Sequence, residues 1–216
     1  MKMLISTLLL FFGMSQLALA GDFEDGVAAY GHGDYTTAMQ KFRQAAEQGG
    51  ADAQYWLGWM HNTGNGALQD DQEAMRWWKQ AAEQGHASSQ TGLGAMYARG
   101  QGVLQDFKEA MRLFLLAADA DTWAQYNIGR MYANGNGVTQ DLKETVRWYT
   151  KAAEQGHATA QYTLGLMYDN GNEVTQDLKK ALRWYTKAAE RGHATAQYTL
   201  GLMYDNGKGV PKDYVL

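Results

Sequence analysis

The chain contains no cysteine among its 216 residues. Disulfides are therefore excluded, as is a lipid anchor on an N-terminal cysteine, so packing alone must stabilise the fold. Long apolar runs are also scarce, because the stretch 4–12 is too short to cross a bilayer and no later stretch comes closer. We therefore expect a protein with no membrane span and no covalent crosslink.

Recognisable catalytic motifs are missing as well. The chain has no H-E-x-x-H, no G-x-S-x-G and no S-x-x-K. Its Gly-x-Gly turns, such as residues 64–66, lack the spacing and the lysine of a phosphate-binding loop. We expect neither an enzyme nor a bound cofactor.

The first twenty residues have the pattern of a secretory signal. Lys2 precedes the apolar stretch 4–12, and Ala18-Leu19-Ala20 has the small-x-small form of a cleavage site. We expect cleavage near Ala20 and a mature protein that is periplasmic or secreted. An uncleaved anchor is the alternative.

The charge of the mature chain is mildly negative. Without Lys2, 18 basic side chains stand against 23 acidic ones, a formal charge of −5. A surface of this sign does not favour nucleic acid or an anionic membrane as the partner.

The main feature of the sequence is a segment that is repeated five times. His157–Gly171 returns letter for letter as His193–Gly207, 36 residues later. Weaker copies begin at Ala51, Ala87 and Thr122. A fixed period of this length predicts a stacked array of helical units.

Each copy predicts two helices. In the copy 158–193, Ala160 and Leu164 follow helical spacing, and Gly171 is expected to end the first helix. Asp177 is expected to cap the N-terminus of the second helix.

A glycine recurs in the middle of every first helix, where it costs about 1 kcal/mol relative to alanine. We expect an aromatic side chain of the second helix to pack over the bare backbone and to offset that cost. The five glycines are Gly58, Gly94, Gly129, Gly165 and Gly201.

The histidines do not have the arrangement of a metal site. His86, His157 and His193 occupy the same place in successive copies, about one helix pair apart and so too distant to share one ion. With His32 and His61 they are expected in turns or on the surface, and no metal is expected.

The repeated pattern resembles Sel1-like repeats, which are relatives of the tetratricopeptide repeat. The shared motif is A-x-x-x-L-G-x-x-Y-x-x-G-x-G-V followed by D-x-x-x-A-x-x-W-Y-x-x-A-A-x-x-G, over about residues 51–214. The resemblance implies an all-α, right-handed superhelical solenoid of antiparallel helix pairs, of the exported bacterial type. It also implies a protein that binds proteins or peptides.

The repeats divide the chain into segments. They are a signal (1–20), a divergent leading tetratricopeptide-like repeat (21–50), four Sel1-like repeats (51–86, 87–121, 122–157 and 158–193) and an incomplete final repeat (194–216). The final copy stops where its second helix should begin, so Leu200 and Tyr204 have no such helix to pack against. Truncation, a half-repeat cap and self-association through this end all remain open.

The resemblance places the first helices on the concave face of the solenoid, where positions that differ between copies are free to bind a ligand. The candidate groove residues are Trp56, Trp59, His61, Trp123, Asn127, Arg130, Thr163 and Leu166. Trp56 and Trp59 have two interpretations, as exposed anchors or as side chains packed against the leading repeat.

These observations predict an exported scaffold that binds a protein or peptide segment in its groove. The alternative is a cell-envelope enzyme, or an accessory to one, of the β-lactamase, penicillin-binding or peptidoglycan type. Some exported relatives carry such labels, but those relatives are rich in cysteine and this chain has none.

Overall fold

The computed structural model describes residues 21–171 and 174–208, and every regular element in these ranges is an α-helix. The predicted signal (1–20) and the last eight residues lie outside the described ranges. The helices are α1 (residues 21–31), α2 (Tyr35–Glu47), α3 (Ala51–Thr63), α4 (Asp71–Glu83), α5 (Ala87–Arg99), α6 (Phe107–Ala117), α7 (Thr122–Asn134), α8 (Leu142–Glu154), α9 (Ala158–Asn170), α10 (Leu178–Glu190) and α11 (Ala194–Asn206).

The helices belong to two compact units, residues 1–113 and residues 114–216, and the boundary falls inside α6. Unit 1 contains the adjacent pairs α1–α2 and α3–α4, together with α5 and most of α6. Unit 2 contains the pairs α7–α8 and α9–α10, followed by α11. The predicted all-α class built from helix pairs is confirmed.

Both ends of the helices are set by the residues that the sequence singles out. The Asp177 carboxylate accepts a hydrogen bond from the Lys180 backbone N–H at 3.0 Å, which satisfies one of the unpaired donors at the start of α10. Gly171 ends α9 with φ at 70°, a left-handed conformation that suits glycine. Both predictions are confirmed.

The mid-helix glycines lie under aromatic rings of the second helices. A Cβ added to Gly129 would lie 2.6 Å from Tyr149 Cδ1, and one added to Gly165 would lie 2.5 Å from Tyr185 Cδ1. No side chain fits in that space, so the two helices approach as closely as the backbone allows. The predicted packing of ring over backbone is confirmed at these positions.

The pair α1–α2 has the same contact, whereas α11 has none with the part of the chain that the structure describes. In the leading repeat a Cβ on Gly26 would lie 2.7 Å from Phe42 Cδ1. A Cβ on Gly201 in α11 would meet no atom of residues 21–171 or 174–208 within 4 Å. Gly201 is therefore a natural reference position for the others.

A glutamine joins each first helix from α3 to α11 to the second helix before it, and this glutamine is buried in every one of them except α11, where Gln197 is exposed. The side-chain amide donates to a backbone carbonyl near the C-terminus of the preceding helix, where carbonyls have no partner within the helix. The pairs are Gln54 to Ala46 (3.2 Å), Gln90 to Ala82 (3.2 Å), Gln125 to Ala118 (2.6 Å), Gln161 to Ala153 (2.9 Å) and Gln197 to Ala189 (3.1 Å). Each of these hydrogen bonds joins a first helix to the helix just before it, so every repeat is bonded to the repeat that precedes it.

The histidines at the repeat boundaries cap the first helices. His157 Nδ1 accepts from the Ala160 backbone N–H at 3.1 Å, and His86 and His193 make the same contact at the start of α5 and α11. His157 lies in the expected turn, and it is buried there, with only 6% of the residue exposed. Its ring is stacked on Tyr126, with the centroids 4.9 Å apart.

Replacing Gly129 with Val is expected to destabilise the protein, because the new side chain must displace the Tyr149 ring. Overpacking of this kind costs about 1–3 kcal/mol, which lowers the Tm of a chain of this length by roughly 3–10 °C. The measurement is thermal unfolding followed by circular dichroism. Gly201→Val is the matched control and should leave the Tm nearly unchanged, so an equal loss in both variants would contradict the packing argument.

Replacing His157 with Asn is expected to make stability less dependent on pH. Burial lowers the pKa of His157 more than the Asp121 carboxylate raises it. As the pH falls below about 6.5, the unfolded chain takes up a proton that the folded chain resists, so the free energy of unfolding decreases.

An asparagine side chain in place of the histidine retains a cap acceptor and does not titrate. Urea unfolding at several values between about pH 7.5 and pH 5 should therefore show a smaller loss in the variant than in the wild type. Parallel profiles would show that His157 does not contribute to the acid sensitivity.

Candidate peptide-binding surface

Three candidate residues lie together on one face of α7 in unit 2. Trp123, Asn127 and Arg130 are four and three residues apart, so they follow one another along the helix surface. Trp123 is 57% exposed, Arg130 is exposed and Asn127 is half-buried. The face therefore presents an aromatic, an amide and a cation in that order.

Local hydrogen bonds position this face. The Asp121 carboxylate accepts from the Trp123 backbone N–H at 2.8 Å and so fixes the first turn of α7. The Asn127 amide donates to the Trp123 carbonyl oxygen at 3.0 Å. Trp123 thus lies in a well-defined helical turn and not in a loop.

The Trp123 ring also has a specific support. It meets the ring of His157 edge to face, with the centroids 4.4 Å apart and the planes at 84°. His157 in turn is stacked on Tyr126 at an interplanar angle of 18°. The indole therefore has an edge contact with a buried ring, while the residue as a whole is 57% exposed.

The sequence pattern did not predict that His157, stacked on Tyr126, supports the ring of Trp123 from the interior. His157 was expected only in a turn or on the surface, and Tyr126 recurs as Tyr55, Tyr162 and Tyr198 in other copies and so did not stand out as variable. The available signal was the spacing of His157, which recurs at the start of successive first helices and so lies beside the preceding copy.

The two candidates on α9 are less available to a ligand. Thr163 is half-buried, and its hydroxyl donates to the Thr159 carbonyl oxygen at 2.8 Å. Leu166 is half-buried and packs against the cluster of Ala181, Tyr185 and Met203. They occupy the places that Asn127 and Arg130 hold one repeat earlier.

In unit 1 the two tryptophans of α3 have different surroundings. Trp56 is half-buried against the leading repeat, with its ring stacked on Phe42 at 5.5 Å and tilted against Tyr30 at 4.8 Å. Trp59 is 38% exposed. The structure therefore gives one of them a packing contact and leaves the other accessible.

His61 lies in the body of α3 and is only 7% exposed. The expected turn or surface position is therefore wrong for His61. The later copies have a tyrosine at this position of the first helix, which marks it as a helix position and not a turn. Neither ring nitrogen has a hydrogen-bond partner among the described residues. Burial lowers the pKa of His61, although the nearby Glu73 carboxylate opposes that effect.

Two further features of the described part of the chain bear on function. Residues 21–171 and 174–208 contain no group of three or more His, Asp or Glu side chains that could hold a metal ion. In the same ranges no helix is both long enough and apolar enough to cross a membrane.

Comparison with known proteins identifies the repeats. The Sel1 repeat family model matches residues 51–86, 87–121, 124–157, 158–193 and 194–216. A Sel1 repeat protein from Oxalobacter formigenes is similar in structure with a TM-score of 0.81 and 35% identity, over 88% of this chain and 78% of that one. No curated protein matches the chain.

A second solved structure is a protective antigen of uropathogenic Escherichia coli that displays an SLR fold. It has 41% identity and a TM-score of 0.71 over 81% of this chain, which spans 38% of that protein. An immunity protein of Pseudomonas aeruginosa, PA5088, has a TM-score of 0.57 at 19% identity over 81% of this chain and 68% of its own, a likeness of fold alone.

Sel1 repeat proteins generally act as scaffolds for protein–protein interaction and are typically non-catalytic. Five matched repeats cover most of the residues after position 50. The glycine, aspartate and glutamine contacts of the helix pairs recur from copy to copy in step with these matches. The chain belongs to the Sel1 repeat family.

Proposed function

We propose that the protein is an exported scaffold that binds a segment of another protein on the exposed face of α7. The observation that carries the proposal is Trp123, whose ring is 57% exposed and yet held edge to face by His157. A side chain that is ordered before binding loses little conformational entropy when a ligand covers it. Large aromatic side chains of this kind supply much of the affinity at protein interfaces.

The spacing on α7 suggests the chemistry of the bound segment. Arg130 lies seven residues after Trp123, which is about 10 Å along a helix axis. A ligand in the extended polyproline II conformation has three residues per turn and advances about 3.1 Å per residue, so side chains three positions apart lie on the same side and about 9 Å apart. We therefore propose an extended segment with an apolar side chain for Trp123 and a carboxylate for Arg130, three positions apart.

The remaining candidate residues take lesser roles in this proposal. Trp59 is an accessible contact within unit 1, and Trp56 supports it by packing against the leading repeat. Thr163 and Leu166 continue the surface on α9 with side chains that are already engaged in helix packing.

The scaffold is proposed to act outside the cytoplasm. The pattern of residues 1–20 supports export to the periplasm or the medium, where the partner would also reside. The exposed face of α11, with Tyr204 38% exposed, is proposed as a second place of association, including self-association. The envelope-enzyme alternative is disfavoured by the typically non-catalytic character of the family.

Replacing Trp123 with Ala is expected to weaken ligand binding strongly. Peptides selected from a displayed random library against the wild-type protein should be enriched in an apolar residue three positions from Asp or Glu. Loss of a hot-spot tryptophan costs about 2 kcal/mol or more, roughly a thirtyfold increase in Kd. The measurement is fluorescence anisotropy with a labelled selected peptide.

Leu116→Ala is the matched control, because Leu116 is also 57% exposed but lies on α6. It should leave the Kd unchanged, and both variants should keep a Tm within about 3 °C of the wild type. Arg130→Glu should weaken the acidic peptides selectively. Equal effects of the Trp123 and Leu116 substitutions would contradict the proposed surface.

The exported protein is expected to begin at Gly21. When the full chain is produced in a bacterial host, N-terminal sequencing of the periplasmic fraction should show cleavage after Ala20. Ala20→Arg should block processing, whereas Ala28→Ser, which lies beyond the cleavage site, should not. Recovery of the uncleaved chain from the cytoplasmic fraction would contradict export.

A further inference from the structure

The charge of the chain is unevenly distributed between its two units. Residues 21–113, the part of unit 1 that follows the predicted signal, contain twelve acidic and seven basic side chains, a formal charge of −5. Residues 114–216 contain eleven of each. The net negative charge of the mature chain therefore belongs to unit 1, and a ligand of this unit gains electrostatically from positive charge.

Within unit 1, helix α3 repeats the spacing of the α7 surface with different side chains. Asp52, Trp56 and Trp59 occupy the same positions of the repeat as the three α7 candidates, and they share one face of α3. The Asp52 side chain is 71% exposed and Trp59 is 38% exposed. Trp56 lies between them and packs against the leading repeat. The face therefore presents an acid at one end and an accessible indole at the other.

A neighbouring histidine positions the Asp52 carboxylate. His86 Nδ1 accepts from the Ser89 backbone N–H at 3.2 Å, and His86 Nε2 lies 3.2 Å from Asp52 Oδ1. A neutral imidazole whose Nδ1 accepts carries its proton on Nε2, so His86 donates to Asp52. The hydrogen bond orients the carboxylate and leaves it its negative charge.

The same three residues have the order of a nucleophile, a base and an acid, since Ser89 Oγ lies 3.0 Å from His86 Nδ1. A serine nucleophile must reach its substrate, but Ser89 is 0% exposed. This series of contacts therefore positions Asp52 and does not supply a catalyst.

We propose that the α3 face binds an extended segment of a partner protein that carries a Lys or Arg three positions from a large apolar residue. The cation pairs with Asp52, and the apolar side chain covers Trp59, which lies seven residues or about 10 Å further along α3. In a polyproline II segment, side chains three positions apart lie on one side and about 9 Å apart. The inference rests on the proposed function as a scaffold for extended segments and adds a second specificity of opposite charge.

Other occupants fit this face less well. The charge of −5 on unit 1 repels nucleic acid and an anionic membrane. A second copy of the mature chain carries the same net charge of −5. A basic segment of a different protein is attracted both by Asp52 and by the unit as a whole.

The probes are peptides selected from a displayed random library against the full chain with Trp123→Ala, which removes the anchor of the α7 surface. We expect enrichment of Lys or Arg three positions from a large apolar residue. A fluorescein-labelled selected peptide should bind saturably in an anisotropy titration. Its Kd should increase as NaCl is raised from about 50 to about 500 mM, because salt screens exposed charge pairs.

Asp52→Asn should weaken this peptide about fivefold, because it removes the charge while keeping an oxygen that accepts from His86. Asp106→Asn is the matched control, since Asp106 is also exposed in unit 1 and asparagine retains its cap on α6. The control should leave the Kd unchanged. Trp59→Ala should weaken the peptide about tenfold.

A change in the peptide tests the same ion pair without relying on the stability of one protein variant. Replacing the peptide's Lys or Arg with Gln should weaken binding about fivefold to the chain that has Asp52 and should have no effect on binding to Asp52→Asn. Such a double-mutant cycle separates a direct charge pair from a general loss of structure.

Three results would overturn the proposal. They are selected peptides that lack the basic and apolar spacing, equal effects of Asp52→Asn and Asp106→Asn, and a peptide charge whose removal costs the same with and without Asp52. Because the selection is made on a chain that lacks Trp123, failure of the α7 surface leaves these results unaffected, and the two failures are distinguishable.

Discussion

The fold depends on the contact between an aromatic ring of α2, α4, α8 or α10 and the bare backbone of a glycine in the helix before it. A glycine inside a helix costs about 1 kcal/mol relative to alanine, and burial of an aromatic ring contributes more than this at about 25 cal/mol per Å². At Gly129 and Gly165 the ring lies where a Cβ would otherwise be. The helix pairs can approach this closely only while the position stays free of a side chain.

The elements of the fold could be predicted from sequence because their signals are local. Gly171 and Asp177 act on the turns in which they lie, and the repeat showed their role several times over. The burial of His157 was not predicted, because it depends on the rings of Tyr126 and Trp123 in the preceding first helix. A helix cap can be predicted from the residues of its own turn, but the side chains of another helix that pack on the capping residue cannot.

The candidate surface was predictable only in part, for the same reason. Variation between copies pointed to Trp56, Trp59 and Trp123 alike, because it shows only that the packing shared by all repeats requires no particular residue there. It does not report what a particular copy packs against. Trp56 stacks on Phe42, which belongs to α2, whereas Trp123 meets the ring of His157 edge to face and is 57% exposed.

The glutamines that link neighbouring repeats suggest how a chain of this kind arises. Gln161 bonds to Ala153, and Gln197 bonds to Ala189, so each bond crosses a single repeat boundary and the two are 36 residues apart. A block of 36 residues carries one glutamine donor and one carbonyl acceptor. Inserting another copy of the block therefore preserves this hydrogen bond at every repeat boundary. One in-frame duplication of the gene can therefore lengthen the protein by a foldable unit, and the verbatim match of His157–Gly171 to His193–Gly207 has the form of a recent event of this kind.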